Sequence, residues 1–357
     1  MPKKITSYPL LPLIHRFINE LKKGKHLQTN GKKLKSSSIQ NYKYLELLLV
    51  KYCNKKNVNL RLRIITDLNK KQFDLEKKYW KYFYLDFTNY LYNDLKHFDN
   101  HVGRMIKLLR SFFNFLINEK GMNIGFFHKK FYSPSEDVEI IVLAQERINY
   151  LIYNTEMEKL LSDDLRKVKD IFVFGCAVAL RFSDLIALSK SNLENINDRF
   201  YIKIQSKKTQ TFTRVKLPIY AAAILNKYSK CYSHKILPPI NKVVMNKKIK
   251  KLMEIYGFTE QHDKYRQRRG ISEKLFKNKN AKTGYRFCDL ISTHTMRRTA
   301  ITNLLSEGLN EQMVRQISGH AANSKEFFRY VAFAQTFIDT EIDKVHERLS
   351  KKLLVIA

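Results

Sequence analysis

Apolar residues recur at helical spacing over most of this chain. Across 9–21, Leu13, Ile14, Phe17, Ile18 and Leu21 share one face, the pattern of an amphipathic helix. A basic, glycine-containing loop follows from Lys22 to Leu34. Ser36-Ser37-Ser38 stands where it would cap a second helix, with Tyr42, Leu45, Leu48, Leu49 and Tyr52 turned inward. Two further helical stretches cover roughly 70–95 and 99–120, the second carrying Val102, Ile106, Leu109, Phe112, Phe113 and Leu116. Residues 9–120 therefore read as a small helical bundle with a basic outer face.

The pattern breaks over 121–136, where Gly121, Gly125, Pro134 and the pair Lys129-Lys130 predict a linker. A β-like run, Asp-Val-Glu-Ile-Ile at 137–141, opens a second domain spanning 137–350. Helical periodicity returns at 144–153 and 164–180. Over 199–205, Phe200, Ile202 and Ile204 alternate as in a half-buried strand, and 211–217 alternates again through Phe212, Val215 and Leu217. The polar tip Ser206-Lys207-Lys208-Thr209-Gln210 between them makes a β-hairpin. From about 243 the chain reads as mostly helical, apart from the very basic stretch 264–286, which reads as a loop. No internal repeat is visible. The fold class is mainly α with a small β-hairpin or sheet.

Charge changes the picture more than any other bulk property. Lys and Arg total 66 against 33 Asp and Glu, a formal net charge of +33. Self-repulsion on that scale opposes compaction, and a polyanion relieves it. Nucleic acid is the usual polyanion, although charge alone does not separate DNA from RNA, and a lysine-rich protein of an AT-rich genome is the bland alternative. The four cysteines, Cys53, Cys176, Cys231 and Cys288, are widely spaced and form neither a zinc signature nor a disulfide framework. The N-terminus does not read as a signal peptide, and no apolar run reaches membrane-spanning length. The expected location is cytoplasmic, on the nucleoid.

Candidate chemistry lies in the second domain. His294 and Arg297 fall at i and i+3 at the start of a helix for which Thr293 is a candidate cap. Two donors at a helix N-terminus suit a phosphate, but H-x-x-R alone carries little. Gly319 ends the next short helix, capped by Asn310, and His320 follows it, where a histidine is more often simply a surface residue. Tyr330, ten residues on, is the last tyrosine of the chain, and taken singly reads as a core aromatic. Upstream, an apolar helix runs into Arg181, with Ser183 placed to cap the next helix and Asp184 available as an ion partner. Lys208, at the hairpin tip, reads most cheaply as a solvated turn lysine.

Taken together, in the order Arg181, Lys208, His294-x-x-Arg297, His320, Tyr330, these residues resemble the catalytic domain of the tyrosine recombinase, or phage integrase, family. The resemblance covers about residues 138–335 and is carried by Phe174-Gly-Cys-Ala-Val-Ala-Leu-Arg-Phe-Ser-Asp-Leu185, Thr293-His-Thr-Met-Arg-Arg-Thr299 and Ile317-Ser-Gly-His320. Its flavour is that of integrases from Bacteroidetes-type mobile elements. The region 9–120 is similar, in composition only, to the family's helical, SAM-like core-binding domain. The implied architecture is that domain followed by an α+β catalytic domain.

The resemblance implies a role for each residue. Arg181 and Arg297 would bind the non-bridging oxygens of the scissile phosphate, helped by His294 as acid/base and by His320. Lys208 would protonate the departing 5′ oxygen, with Lys207 as the other candidate. Tyr330 would attack phosphorus to give a 3′-phosphotyrosine, and Asp184 would fix the positions of Arg181 and the histidines. The partners implied are double-stranded DNA, gripped by two domains, and a homotetramer that exchanges strands. A C-terminal helix near 336–350 would dock on a neighbouring protomer or pack in cis. No cofactor, metal, ATP or membrane is implied.

Physical chemistry agrees with these roles. Phosphodiester exchange passes through a phosphorane of extra negative charge, which fixed Arg and His donors stabilise more than the ground state. A phenol is a poor nucleophile at neutral pH and needs an activating site. No carboxylate cluster suggests a two-metal nuclease. Two departures stand out. The separation of His320 and Tyr330 is one residue longer than the usual family spacing, and no arm-binding domain precedes the bundle, so a compact recombinase binding core-type sites alone is expected. The competing readings are a DNA-binding relative that has lost the reaction, a type IB topoisomerase, and a basic RNA-associated protein. The filled set of six positions disfavours the first.

Overall fold

The computed structural model describes residues 5–28, 31–205 and 212–354. They divide into two compact units, one formed by Met1–Val138 with Tyr265–Lys274, the other by Glu139–Lys264 with Leu275–Ala357.

The first unit begins with β1 (Ser7–Pro9) and α1 (Leu10–Lys23), followed by α2 (Ser36–Lys56), β2 (Arg61–Arg63), α3 (Lys70–Asn89) and α4 (Asp99–Asn118). The predicted inward faces of α1, α2 and α4 are buried, except that Leu13 of α1 is only half-buried and Leu10 takes its place in the core. Ser36–Ser38 lie inside α2 and give it no side-chain cap, since the capping position belongs to Lys35. The core is rich in aromatic rings, with Trp80 set edge-on to Phe113 at 5.1 Å between centroids. Each such ring stabilises the fold by about 1.5–3 kcal/mol. Glu76, at 0% exposure, is tolerated because Arg61 and the Trp80 indole both donate to it.

The second unit carries α5 (Gln145–Tyr153), α6 (Thr155–Lys159), α7 (Asp163–Val178), α8 (Phe182–Leu185), β3 (Leu193–Ile196), β4 (Arg199–Gln205), β5 (Phe212–Lys216), α9 (Ile219–Tyr228) and α10 (Lys242–Ile255). The short strand β6 (Gln261–His262) precedes a hairpin of β7 (Lys264–Arg268) and β8 (Ile271–Leu275). Then come β9 (Tyr285–Arg286), α11 (Phe287–Leu290), α12 (Thr293–Ser306), α13 (Glu311–Ser318) and α14 (Lys325–Leu354). The second half of α7, 171–178, is apolar on every side and packs into the core, as such a segment must, while its first turns are charged. Gly175 lets α12 approach it, because a Cβ there would meet the Met296 sulfur at 2.5 Å.

The predicted hairpin strands β4 and β5 pair antiparallel, Ile202 opposite Val215, and turn Ile202, Ile204 and Val215 to the core. A third strand, β3, joins them on the other side of β4. The hairpin tip, with Lys207 and Lys208, lies outside the described residues. The β-like run at 137–141 is not a strand. Nearby backbone finds a side chain instead, as the Leu143 amide donates to the Thr299 hydroxyl at 3.0 Å.

The largest departure is at 264–286, where a loop is expected and strands form. All of this hairpin but its two end residues, Tyr265–Lys274, belongs to the first unit, where carboxylates hold it. Asp99, 2% exposed, accepts from the amides of Arg269 and Gly270 at 2.8 Å and from the Tyr92 hydroxyl at 2.6 Å. Glu136 accepts from the Arg266 guanidinium and the Gln267 amide. Arg268 donates to the carbonyls of Tyr92 and His97. Charge-assisted bonds of this kind contribute about 1.5–3 kcal/mol each. Asp99→Ala should therefore lower the unfolding free energy by about 2–4 kcal/mol in denaturant titrations and expose 264–275 to proteolysis first; an unchanged midpoint with an intact hairpin would show the carboxylate to be dispensable.

Candidate active site

The site forms where the end of α7 meets the starts of α8 and α12 and the end of α13. Ala179 caps α7 with φ 54°, a left-handed conformation that costs a non-glycine residue about 1–2 kcal/mol. Its carbonyl accepts from Arg297 at 2.9 Å. Two residues on, Arg181 takes the N-cap of α8, its carbonyl accepting from the amides of Asp184 and Leu185 at 2.8 Å. Ser183, the expected cap, lies inside that helix, because the backbone turns at Arg181 instead. Asp184 is 2% exposed.

Helix α12 starts one residue earlier than Thr293 would set it. Ser292 is the cap, accepting from the His294 amide at 3.3 Å in a capping box with Thr295. From that start, Met296, Ala300, Ile301 and Leu305 are buried, and so is Arg297, while His294 is exposed. Burial and the neighbouring Arg181 push the Arg297 guanidinium down to about 10, which leaves it charged at neutral pH.

His320 follows Gly319, whose φ of 63° ends α13 in the left-handed region. Ser318 donates its hydroxyl to the Val314 carbonyl at 2.7 Å, so toward His320 Nδ1, 2.8 Å away, it acts as an acceptor. That network assigns the proton to Nδ1 and leaves Nε2 to accept from Arg297 Nη2 at 3.0 Å. Burial, then Arg297 and Arg181, hold the imidazole down to about 3, consistent with a neutral ring beside two guanidiniums. Although His294 reaches the surface, partial desolvation of its ring, then the Arg298 and Arg297 guanidiniums beside it, hold that imidazole down to about 4.

Tyr330 stands on α14, its ring wholly buried against Ala179, Ile301 and Phe327. The hydroxyl is not among apolar groups. It donates to Glu326 Oε1 at 3.2 Å, with Arg298 beside it. Burial and the Glu326 carboxylate raise the phenol above its ordinary value, against the opposing pull of Arg298 and Arg297.

Arg181, Asp184, His294, Arg297, His320 and Tyr330 thus share one electrostatic neighbourhood, although they come from separate parts of the chain. Lys208 lies outside the described residues. Two participants escaped sequence reasoning, Arg298 and Glu326. Each had a positional signal, Arg298 as the residue after Arg297 and Glu326 as the residue one helical turn before Tyr330. Among the described residues, no group of three or more His, Cys, Asp or Glu is placed to hold a metal ion, and no helix is long and apolar enough to cross a membrane.

A buried Arg297, the half-buried Arg181 near it and two neutral imidazoles gathered beside one phenol form a cationic site of a kind suited to a phosphoester. Residues 143–336 match the phage integrase family, and the chain belongs to that family. No curated protein matches the sequence. Among solved structures, it is similar to a XerH site-specific recombinase bound to a palindromic difH substrate in a post-cleavage complex, with TM-score 0.59 and 12% identity, over 96% of this chain and 95% of that one. A lambda integrase dimer bound to a COC′ core site gives TM-score 0.59 and 13% identity over 91% and 78% of the two chains. The Tn1549 transposon integrase in complex with circular intermediate DNA gives 0.53 and 12% over 90% and 94%. At these identities the likeness is one of fold, and the fold is that of the tyrosine recombinases, mainly helical with small sheets.

In the unfolded chain His320 gains a proton below about pH 6.5, whereas in the folded protein it stays neutral down to about pH 3. The folded state therefore has its full advantage above pH 6.5 and loses it as pH falls from 6.5 toward 3. His320→Gln should flatten the fall of melting temperature across that window; a slope identical to wild type would remove His320 as its source.

Proposed function

We propose that this protein is a site-specific DNA recombinase that cleaves and rejoins strands through a 3′-phosphotyrosine intermediate, for integration, excision or inversion. The observation that carries the reading is the convergence of Arg181, Arg297, His294 and His320 on the surroundings of one tyrosine, in a chain of the phage integrase family. Residues 9–120 would serve as the core-binding domain, 121–136 as linker and 137–350 as the catalytic domain. The working form would be a homotetramer on double-stranded DNA, in the cytoplasm on the nucleoid, and the quoted stretches favour a Bacteroidetes-type mobile element as source.

In this reading Arg181 and Arg297 hold the non-bridging oxygens, and Asp184 keeps the guanidiniums in place. His294, exposed at the α12 N-terminus, meets the phosphate from that side. His320 as it stands offers Arg297 a lone pair. To donate to a phosphate oxygen through Nε2 it must gain or relocate a proton, which the arriving negative charge favours. Lys208 would protonate the 5′ oxygen as it leaves. Because the phosphodiester energy is kept in the tyrosyl ester, no ATP enters this scheme, and because the side-chain cations would stabilise the developing charge, no metal does.

The reading is tested with nicked suicide duplexes built from inverted repeats of the flanking genome. Wild type should form a protein–DNA adduct that maps to Tyr330, and Tyr330→Phe should bind the same DNA yet form none. Persistent adducts in that variant would falsify the assignment. Arg181→Ala should slow adduct formation about 100- to 1,000-fold, the usual cost of one transition-state donor, with a far smaller loss of affinity. Affinity should also fall steeply with salt, log K changing by about −0.9 per log salt for each phosphate neutralised; a shallow slope would contradict a basic DNA-gripping surface.

A further inference from the structure

We propose that Glu326 is the group that takes the proton from Tyr330 as it attacks phosphorus and returns it when the strand is rejoined. The proposal rests on the reading of Tyr330 as nucleophile.

The Tyr330 hydroxyl already donates to Glu326 Oε1 at 3.2 Å, one helical turn away on α14. The other polar groups nearby are poorly suited to the task; His294, to which the resemblance gives an acid/base role, makes no hydrogen bond to this hydroxyl, whereas Glu326 does. Arginine does not give up its proton in proteins, so Arg297 and Arg298 cannot accept one. His320 has its Nδ1 proton toward Ser318 and its Nε2 lone pair toward Arg297. A bare carboxylate near a phosphodiester would repel it. Here Arg298 lies 3.8 Å from Oε1 and Arg329 lies 3.3 Å from Oε2, so the acid enters the site with its charge offset. The Glu326 side chain is 42% exposed while the tyrosine ring is covered, so the acceptor is wetter than the group it serves. Both residues ride on one turn of α14, so any shift of that turn that uncovers the phenol carries its acceptor along.

The step balances. A bond forms between the Tyr330 phenolic oxygen and phosphorus, and the bond from phosphorus to the 5′ oxygen breaks. The phenolic proton passes to Glu326 Oε1, and the 5′ oxygen gains a proton from the hairpin lysine. Rejoining runs the same transfers backward, with a proton on the Glu326 carboxyl passing to the phenolic oxygen as it leaves phosphorus.

Glu326→Gln separates this role from a structural one, because the amide oxygen still accepts the Tyr330 hydrogen bond. On the duplex that yields the wild-type adduct, E326Q should bind DNA normally and form adduct about 100- to 10,000-fold more slowly in single turnover, the range for a lost general base. Glu326→Asp, which keeps a carboxylate, should retain more activity than Gln. The defect should persist on a duplex with a bridging 5′ sulfur, whose leaving group needs no proton. Wild-type or faster cleavage by E326Q, or full restoration by the bridging sulfur, overturns the proposal while leaving Tyr330 as nucleophile. Failure of wild type to form any Tyr330 adduct removes the underlying reading and this one with it.

Discussion

A buried positive charge organises this site. Arg297 is 3% exposed, and a guanidinium so placed must have its donors satisfied or the fold pays several kcal/mol. Its partners dictate local structure on three sides. The Ala179 carbonyl can face it only because α7 ends in a left-handed turn. His320 can face it only because Gly319 ends α13 just before. The close approach of α12 to α7, permitted by Gly175, brings the arginine within reach of both. Each is a local backbone feature, strained only at Ala179, and each faces the same cation.

The charge also sets the chemistry of its neighbours. Burial, reinforced by Arg297 and Arg181, keeps His320 neutral, and desolvation, reinforced by Arg298 and Arg297, does the same for His294. The imidazoles are thereby held as uncharged polar groups until an anion arrives. Tyr330 sits between a carboxylate that resists its ionisation and guanidiniums that favour it. The balance of these opposing influences changes when a phosphate occupies the cationic side.

Much of this was legible in the chain. The inward faces of α1, α2 and α4 followed from spacing, because apolar burial writes a 3.6-residue period into a sequence. The candidate site residues were proposed from their order and flanking stretches, since each alone looked ordinary. What stayed hidden was polar. The hairpin at 264–275 is fixed by Asp99 and Glu136, far away in sequence, so its strands lack the alternation that marks a strand packed on an apolar core. Ser292 was passed over as a cap because its neighbour Thr293 is equally suited by type, and only the backbone turn decides between them. Glu326 resembled any acidic residue near a helix start, because a carboxylate's partner cannot be read from helical period alone.

The hairpin has a consequence for how the chain is made. During synthesis the amino-terminal helices emerge long before residue 274, and such units usually fold in order of appearance. Here Asp99 and Glu136 would wait, hydrated and unmated, while more than a hundred further residues are translated. On that order of synthesis the first unit would mature in two stages, a provisional bundle and a completed one, and a ribosome halted before the hairpin codons would hold only the provisional form.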